Sequence, residues 1–159
     1  MNKKNLLEKI ICELEQRLVI LTHSAADADR ESQQEQNVPL SQIDHRALEA
    51  SMLASAQLER VREAQQVIQV YRQLPVRPFQ LGDEVQPSAL VELEHDGRSY
   101  YVFLGPQGAG TVVDFDGHPV EVITPHSPLG EELLEKQVHD EIFVESPRGI
   151  QEYRIKSIA

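Results

Sequence analysis

The sequence predicts an α+β protein: an N-terminal antiparallel α-helical coiled-coil hairpin followed by a small antiparallel β-rich domain with one short helix. The distribution of turn-forming residues is the main reason, because all eight glycines lie at or after Gly82 and eight of the nine prolines at or after Pro75. The first half is therefore almost free of residues that break helices. We place the hairpin at residues 1–74, a linker at 75–87 and the β-rich domain at 88–159.

The two helices are indicated by residues, apolar or small except for Gln57, that recur at alternating steps of four and three. The first series is Leu7, Ile11, Leu14, Leu18, Leu21, Ala25 and Ala28, and the second is Ala47, Ala50, Ala54, Gln57, Val61, Ala64, Ile68 and Tyr71. This spacing is typical of a coiled-coil seam. Pro39 separates the two series, and Ser41 is positioned to cap the second helix. Two helices joined by one short break predict an antiparallel pair.

Six short β-rich runs follow, separated by turns that contain Gly, Pro and Asp. They occupy residues 89–94, 99–104, 110–115, 120–124, 141–145 and 151–158. One short helix interrupts them, because Ser127 and Pro128 form the serine cap and first-turn proline that are typical of a helix start. We expect this helix to continue to about Gln137.

Charge and cysteine content limit the classes of function. The chain carries 26 acidic and 15 basic side chains, a formal charge of −11, so it repels a phosphate backbone and we expect no independent nucleic-acid binding. Cys12 is the single cysteine and the six histidines show no ligand spacing, which predicts neither a disulfide nor a metal site. The charge-free stretch at residues 18–26 is too short to span a bilayer. We therefore expect a cytoplasmic protein without membrane contact.

A series of short motifs runs in order through the second half of the chain. They are Val-Ile-Thr-Pro-His-Ser-Pro-Leu-Gly at 122–130, Leu-Leu at 133–134, Asp-Glu at 140–141, Ser-Pro-Arg-Gly at 146–149 and Tyr-Arg-Ile at 153–155. In this order they resemble the C-terminal domain of bacterial GreA/GreB transcription elongation factors. The resemblance covers about residues 88–159 and implies an FKBP-like fold. The preceding hairpin is similar to the Gre coiled coil in length and position.

The resemblance implies a function at RNA polymerase. Gre factors dock their C-terminal domain at the rim of the secondary channel and extend the hairpin towards the active-site magnesium. Ser127 and Pro128 match the pair with which the family contacts the rim, and the preceding residue is His126, which supplies no carboxylate. The resemblance thus implies docking through these three residues by a monomer. It implies no cofactor except a magnesium ion shared with the polymerase active site.

The hairpin tip departs from the family pattern. Cleavage-competent Gre factors carry a compact acidic motif there, whereas residues 27–39 here read Asp-Ala-Asp-Arg-Glu-Ser-Gln-Gln-Glu-Gln-Asn-Val-Pro, which we expect to form a polar loop. The acidic candidates for RNA cleavage are Asp27, Asp29, Glu31 and Glu35, because two-metal hydrolysis uses carboxylate oxygens. A solvated acidic end of a coiled coil explains the same residues. We expect a regulator that is not an enzyme, similar to Rnk, which binds polymerase without a cleaving tip.

Three other functions stay open from the sequence. The protein could be a true Gre-type cleavage factor with an unusual tip, or a coiled-coil adaptor that uses its apolar stripe to bind another protein. An FKBP-like fold also suggests prolyl isomerisation in an aromatic pocket. The rings that could build such a pocket are Tyr100, Tyr101, Phe103, Phe115, Phe143 and Tyr153. We expect most of them to be core, which disfavours an isomerase.

Overall fold

The structure, a computed structural model, describes residues 2–34, 43–80, 82–147 and 149–159. Its elements are α1 (Lys3–Gln34), α2 (Ile43–Arg72), β1 (Leu90–His95), β2 (Arg98–Leu104), β3 (Val112–Phe115), β4 (His118–Ile123), α3 (Pro128–Leu133), β5 (Glu141–Ser146) and β6 (Gly149–Ile158). The predicted helical hairpin and β-rich domain are confirmed. Within the described ranges, no helix is both long and apolar enough to cross a lipid bilayer.

The chain divides into two compact units, which do not coincide with the two halves of the sequence. The arm unit is Leu14–Gln69, and the sheet unit combines Met1–Glu13 with Val70–Ala159. The first turns of α1 and the last turn of α2 therefore belong to the sheet unit. The predicted helix cap at Ser41 lies outside the described residues.

The arm unit follows the predicted seams. On α2, Ala54 and Ile68 are buried and Val61 is half-buried, whereas most residues between seam positions are exposed. On α1, Leu14 and Ala25 are buried in the same manner. A seam of this kind removes one narrow stripe of each helix from water and leaves the remaining faces solvated.

At the start of α1 the buried face is displaced by one residue from the predicted seam. Leu6 and Ile10 are fully buried, whereas the predicted seam residues Leu7 and Ile11 are half-buried. These turns are part of the sheet unit, where the Lys9 ammonium donates to the carbonyl of Asp114 (Nζ to O, 2.8 Å). Packing within the sheet unit, and not helix pairing alone, therefore decides which face of α1 is buried here.

The sheet unit contains a six-stranded sheet in the order β3-β4-β2-β1-β6-β5. Four neighbouring pairs are antiparallel, as predicted, but β2 and β4 run parallel, so the sheet is mixed. The reason is that β3 occupies the sheet edge, and its hairpin with β4 brings β4 back beside β2. Residues 105–111 connect β2 to β3. At the start of this connection, the amide of Gly105 donates to the carbonyl of Ile123 (2.8 Å).

Two hairpins of the sheet use the same turn chemistry. Asp96 and Gly97 connect β1 to β2, and Asp116 and Gly117 connect β3 to β4; all four have φ between 49° and 79°. Positive φ at both central positions is the type I′ turn, for which Asp-Gly is a favoured sequence. These local signals fix the register of both hairpins.

Helix α3 ends at Leu133, four residues before the predicted end at Gln137. Leu134 leaves the helical region with ψ of 138°, and Glu135 has a positive φ of 63°. The amide of Glu135 donates to the carbonyl of Val85 (3.1 Å), and the amide of Val85 donates to the carbonyl of Lys136 (2.8 Å). These hydrogen bonds to Val85, which is distant along the chain, replace the hydrogen bonds of a further helical turn. The local sequence does not reveal them.

Candidate functional site

The Ser127 hydroxyl fixes the start of α3 because it accepts one hydrogen bond and donates another. The hydroxyl accepts from the amide of Gly130 (3.1 Å) and donates to the carbonyl of Thr124 (2.8 Å). Its backbone is extended, with φ of −77° and ψ of 152°, as is usual for a residue that caps a helix. Pro128 occupies the first turn, and Glu131 lies there too, near the positive end of the helix. The predicted serine cap is confirmed.

Gly130 makes this start unusually compact. A Cβ atom at this position would collide with the backbone carbonyl of Thr124 and approach the Ser127 hydroxyl to 3.0 Å. Because the obstacle is backbone, it cannot move aside as a flexible side chain would. The chain from Thr124 to Gly130 is therefore packed against itself, which holds the residues between them in one conformation.

The three residues that the resemblance assigns to docking lie side by side on this rigid turn. His126 and Pro128 are exposed, and Ser127 is half-buried because its hydroxyl serves the cap. The turn therefore presents an imidazole and a proline ring to solvent. A substitution of Ser127 changes the cap as well as the surface, so only a capping replacement can separate the two roles.

A groove that the sequence did not reveal opens next to this turn. It has a volume of about 360 Å³. Leu93, Ser99, Tyr100, Tyr101, Val102, Val112, Pro119, Glu121, Leu129 and Tyr153 line it. Leu129 directly follows Pro128, so the first turn of α3 contributes one residue to the wall of the groove.

The groove exists because α3 is too short to cover its side of the sheet. Leu133 packs with Leu104 and Ile123 in the main core, but α3 spans only six residues. Tyr100, two residues before Val102 on β2, is left 42% exposed at the uncovered end of the same sheet face. The alternation of Tyr100, Val102 and Leu104 is readable from the sequence, but the reach of α3 is not.

Tyrosine rings and one carboxylate give the groove its chemical character. Tyr100 and Tyr153 meet edge to face with 6.2 Å between ring centroids. Burial raises the pKa of Tyr153, and the nearby Tyr100 hydroxyl and Glu121 carboxylate raise it further. The phenol thus stays protonated and donates to the side-chain amide oxygen of Gln151 (2.9 Å). The groove is apolar with an acidic margin.

Of the six rings considered, Phe103 and Phe115 are buried, Tyr101 and Tyr153 are half-buried, and Tyr100 and Phe143 are exposed. The expectation that most of the rings belong to the core therefore holds only in part, because the three tyrosines line the groove. It is open, and its walls carry hydroxyl groups and a carboxylate, as suits a surface that binds protein.

The structure places the described tip carboxylates on a helix, not in the expected loop. Helix α1 continues to Gln34, so Asp27, Asp29 and Glu31 are helical, while Glu35 lies outside the described residues. Asp27 is exposed and lies 3.9 Å from the guanidinium of Arg30, and Asp29 is also exposed. Residues that lie two positions apart in an α-helix are separated by about 200° around its axis. Asp27 and Asp29 therefore point away from each other and do not form one carboxylate pair.

Comparison with known proteins gives one family match. The family model "Transcription elongation factor, GreA/GreB, C-term" matches residues 80–159. No curated protein matches the chain. Among solved structures, the GreA factor homolog Gfh1 of Thermus thermophilus is 19% identical, with 94% of each chain covered and a TM-score of 0.41.

Two further solved structures show similar levels of likeness. Gfh1 of Thermus aquaticus is 19% identical over 91% of this chain and 90% of that chain, with a TM-score of 0.42. GreA/GreB from Nitrosomonas europaea is 21% identical over 71% of this chain and 95% of that chain, with a TM-score of 0.35.

Proposed function

Because the chain belongs to the GreA/GreB family of transcription elongation factors, we propose that it binds RNA polymerase at the secondary channel and modulates elongation or initiation without strong transcript cleavage. The sheet unit docks on the channel rim, and the arm unit occupies the channel. The protein acts as an accessory regulator and is not itself an enzyme. It works as a monomer and needs no cofactor of its own.

The rigid α3 start is the observation that carries the docking proposal. Ser127 and Gly130 constrain the backbone of the turn that carries His126 and Pro128, which lowers the cost of ordering this backbone on binding. The adjoining groove supplies apolar surface next to the turn, and Glu121 supplies negative charge at its margin. A preformed apolar surface with a few polar groups is the usual form of a specific binding site.

The divergence of Asp27 and Asp29 supports a regulator that does not strongly stimulate cleavage. Two-metal hydrolysis requires carboxylate oxygens that converge on one ion and hold it within a fraction of an ångström. Asp27 and Asp29, on opposite sides of the helix, cannot bind one magnesium ion together, and of the candidates on α1 only positions 27 and 31 share a side. The arm can nevertheless fill the channel, which predicts competition with cleavage factors.

Charge supports the choice of partner. With 26 acidic and 15 basic residues, the protein is attracted to a basic channel rim and repelled by free RNA or DNA. Binding that depends on these charges weakens as salt screens them. This predicts affinity for the polymerase and none for a bare oligonucleotide of the same transcript.

A binding experiment with core RNA polymerase tests the docking proposal. The double variant Ser127→Asp/Pro128→Ala keeps a capping side chain but removes the proline ring and the serine surface. We expect at least tenfold weaker binding with an unchanged melting temperature, whereas Pro87→Ala, at another exposed proline of the sheet unit, retains affinity. Equal affinity of wild type and double variant would move the docking site elsewhere. Simultaneous binding of this protein and a true Gre factor would contradict the channel assignment.

Backtracked elongation complexes test the absence of strong cleavage. We expect the protein to release little RNA by itself and to reduce cleavage stimulated by a true Gre factor in the same mixture. Robust cleavage that disappears on Asp27→Asn/Asp29→Asn, or on Glu31→Gln/Glu35→Gln, would identify a genuine cleavage factor with an unusual tip.

Sedimentation of the free protein tests the alternative hypothesis of a coiled-coil adaptor. An adaptor of this kind would dimerise through the arm, whereas the proposed regulator is a monomer.

A further inference from the structure

The groove beside α3 has a wall of tyrosine rings, of which one is open to solvent. Tyr100 and Tyr153 both line the groove, and their ring planes are nearly perpendicular (88°) with 6.2 Å between centroids. Tyr100 remains 42% exposed in this arrangement. The wall therefore offers an aromatic face to a partner, as well as the apolar surface of Leu93 and Val102.

The Tyr153 ring is held in place by the residues around it. The imidazole of His95 packs against it with 4.9 Å between centroids. The two imidazole nitrogens contact the carbonyl of Glu152 (2.7 Å) and the carboxylate of Asp96 (3.5 Å). The Tyr153 hydroxyl donates to the side-chain oxygen of Gln151 (2.9 Å). The aromatic wall is thus formed before a partner binds, which lowers the cost of ordering it.

Glu121 adds a negative charge to the same groove. It lies on β4 in register with Val102 of β2, and its side chain is exposed. Burial raises the pKa of Tyr153, and the Tyr100 hydroxyl and the Glu121 carboxylate raise it further. The charge of Glu121 is therefore felt at the tyrosine wall, across the width of the groove.

The basic groups of the chain do not use these partners. Two lysines lie over aromatic rings, but these rings are Phe79 and Phe115, and among the described residues no cation lies over a tyrosine. No ion pair within the same residues includes Glu121. Arg98, the basic residue of β2, is four residues from Val102, which is about 13 Å along the strand. An aromatic face and a carboxylate are thus both available to a cation from outside.

This combination selects the chemistry of the occupant. The face of an aromatic ring attracts a cation, and a carboxylate pairs with one. A purely apolar side chain would cover Glu121 without giving its charge a partner, and the phosphates of a nucleic acid would be repelled. Arginine fits better than lysine, because its planar guanidinium stacks on a ring and donates two parallel hydrogen bonds to a carboxylate.

We infer that the groove receives an arginine side chain of RNA polymerase, whose guanidinium stacks on Tyr100 and pairs with Glu121. This inference rests on the proposed function and names the group that the docking surface recognises. Leu129 of the groove directly follows Pro128 of the docking turn, so the groove is within reach of a partner bound at that turn.

Binding of full-length variants to core RNA polymerase tests the role of the ring and of the charge. Tyr100→Leu keeps an apolar side chain but removes the aromatic face, and should weaken affinity about tenfold. The matched variant Tyr100→Phe keeps that face and should lose no more than about twofold. Glu121→Gln should weaken affinity about fivefold in low salt and less in high salt. Melting temperatures should not fall, because both side chains are exposed in the free protein.

The double variant Tyr100→Leu/Glu121→Gln tests whether one side chain contacts both residues. If one guanidinium does, the loss of affinity in the double variant should be smaller than the product of the two single losses, because the first substitution already displaces the cation. Two independent contacts would instead give losses that multiply, which would overturn the inference.

The other outcomes separate this inference from the proposed function. If the wild type does not bind polymerase, the proposed function fails. If Ser127→Asp/Pro128→Ala weakens binding but Tyr100→Leu does not, the docking turn stands and the groove contact is overturned. If Tyr100→Leu weakens binding but Glu121→Gln does not, the occupant is apolar and the inference is wrong. It is also wrong if the wild type sediments as a dimer that Tyr100→Leu dissociates, because the occupant is then a second copy.

Discussion

The arm unit and the sheet unit reach stability by different means. In the arm unit the seam uses small residues such as Ala25 and Ala54, and large apolar side chains such as Ile20 and Met52 remain more than half exposed. In the sheet unit, Leu93, Leu104 and other branched residues are fully buried on a shared core. The stability of the arm unit therefore depends on the spacing of its seam residues, whereas the stability of the sheet unit depends on which residue occupies each core position. The proposed docking surface accordingly lies on the sheet unit.

Truncation of one core side chain of the sheet unit and one seam side chain of the arm unit measures this difference most directly. Ile10→Ala removes a fully buried side chain of the sheet unit and should lower the free energy of unfolding by about 4 kcal/mol. Val61→Ala removes a half-buried seam residue of the arm unit and should cost about 1 kcal/mol. Urea unfolding followed by circular dichroism provides both values. Equal losses would mean that the arm seam is packed as tightly as the sheet core.

A glycine substitution at the α3 start tests how far position matters in the sheet unit. Gly130→Ala should lower the free energy of unfolding by about 3 kcal/mol, because the new Cβ meets the backbone of Thr124. Gly97→Ala is the control: it also adds a Cβ, but into open space, and costs only the strain of a positive φ, about 1 kcal/mol. A Gly130→Ala protein of wild-type stability would show that the turn is not tightly packed.

Alkaline pH should affect the sheet unit through Lys3. Its ammonium donates to the carbonyls of Arg77 and Ser88 and lies 4.3 Å from the ring centroid of Phe79. Burial lowers the pKa of Lys3 to about 8 from an ordinary value of 10.5. The unfolded chain therefore binds more protons than the native state between these values, and this group's contribution to stability rises with pH across that window.

The Lys3→Met variant isolates this effect from other groups that titrate at alkaline pH. The stability of the wild type relative to Lys3→Met should rise between pH 8 and 10.5 by at most about 1.4 kcal/mol per pH unit. Below pH 8 the difference should be constant. A difference that is flat throughout would show that the Lys3 ammonium stays fully solvated.

Exposed ion pairs of the arm unit should give the smallest effect. Arg62 and Glu59 lie 3.6 Å apart, but both side chains are more than 60% exposed. A double-mutant cycle with Arg62→Gln and Glu59→Gln should give a coupling of about 0.3 kcal/mol that disappears in high salt. A coupling several times larger would mean that surface charges stabilise the arm as strongly as its seam does.

The sequence allowed a good prediction where structure depends on neighbours along the chain. Both Asp-Gly turns, the six strands and the Ser127 cap follow from local conformational preferences, and the α2 seam follows from helical spacing. The helix start at Ser127 and Pro128 is visible in the local sequence, whereas the docking role of these residues is implied only by the family resemblance. The groove beside them could not, because Tyr100 and Leu129 are distant along the chain.

By itself, the sequence determined the helical hairpin, the β-rich domain and the rigid turn at Ser127, because each arises from periodicity or from hydrogen bonds between nearby residues. Only the tertiary structure decided that β4 lies parallel to β2, that Val85 ends α3 at Leu133, and that Leu6 and Ile10 are buried in place of Leu7 and Ile11. These features depend on contacts between segments far apart in the chain. Such contacts form only when the complete unit folds, so local preference cannot specify them.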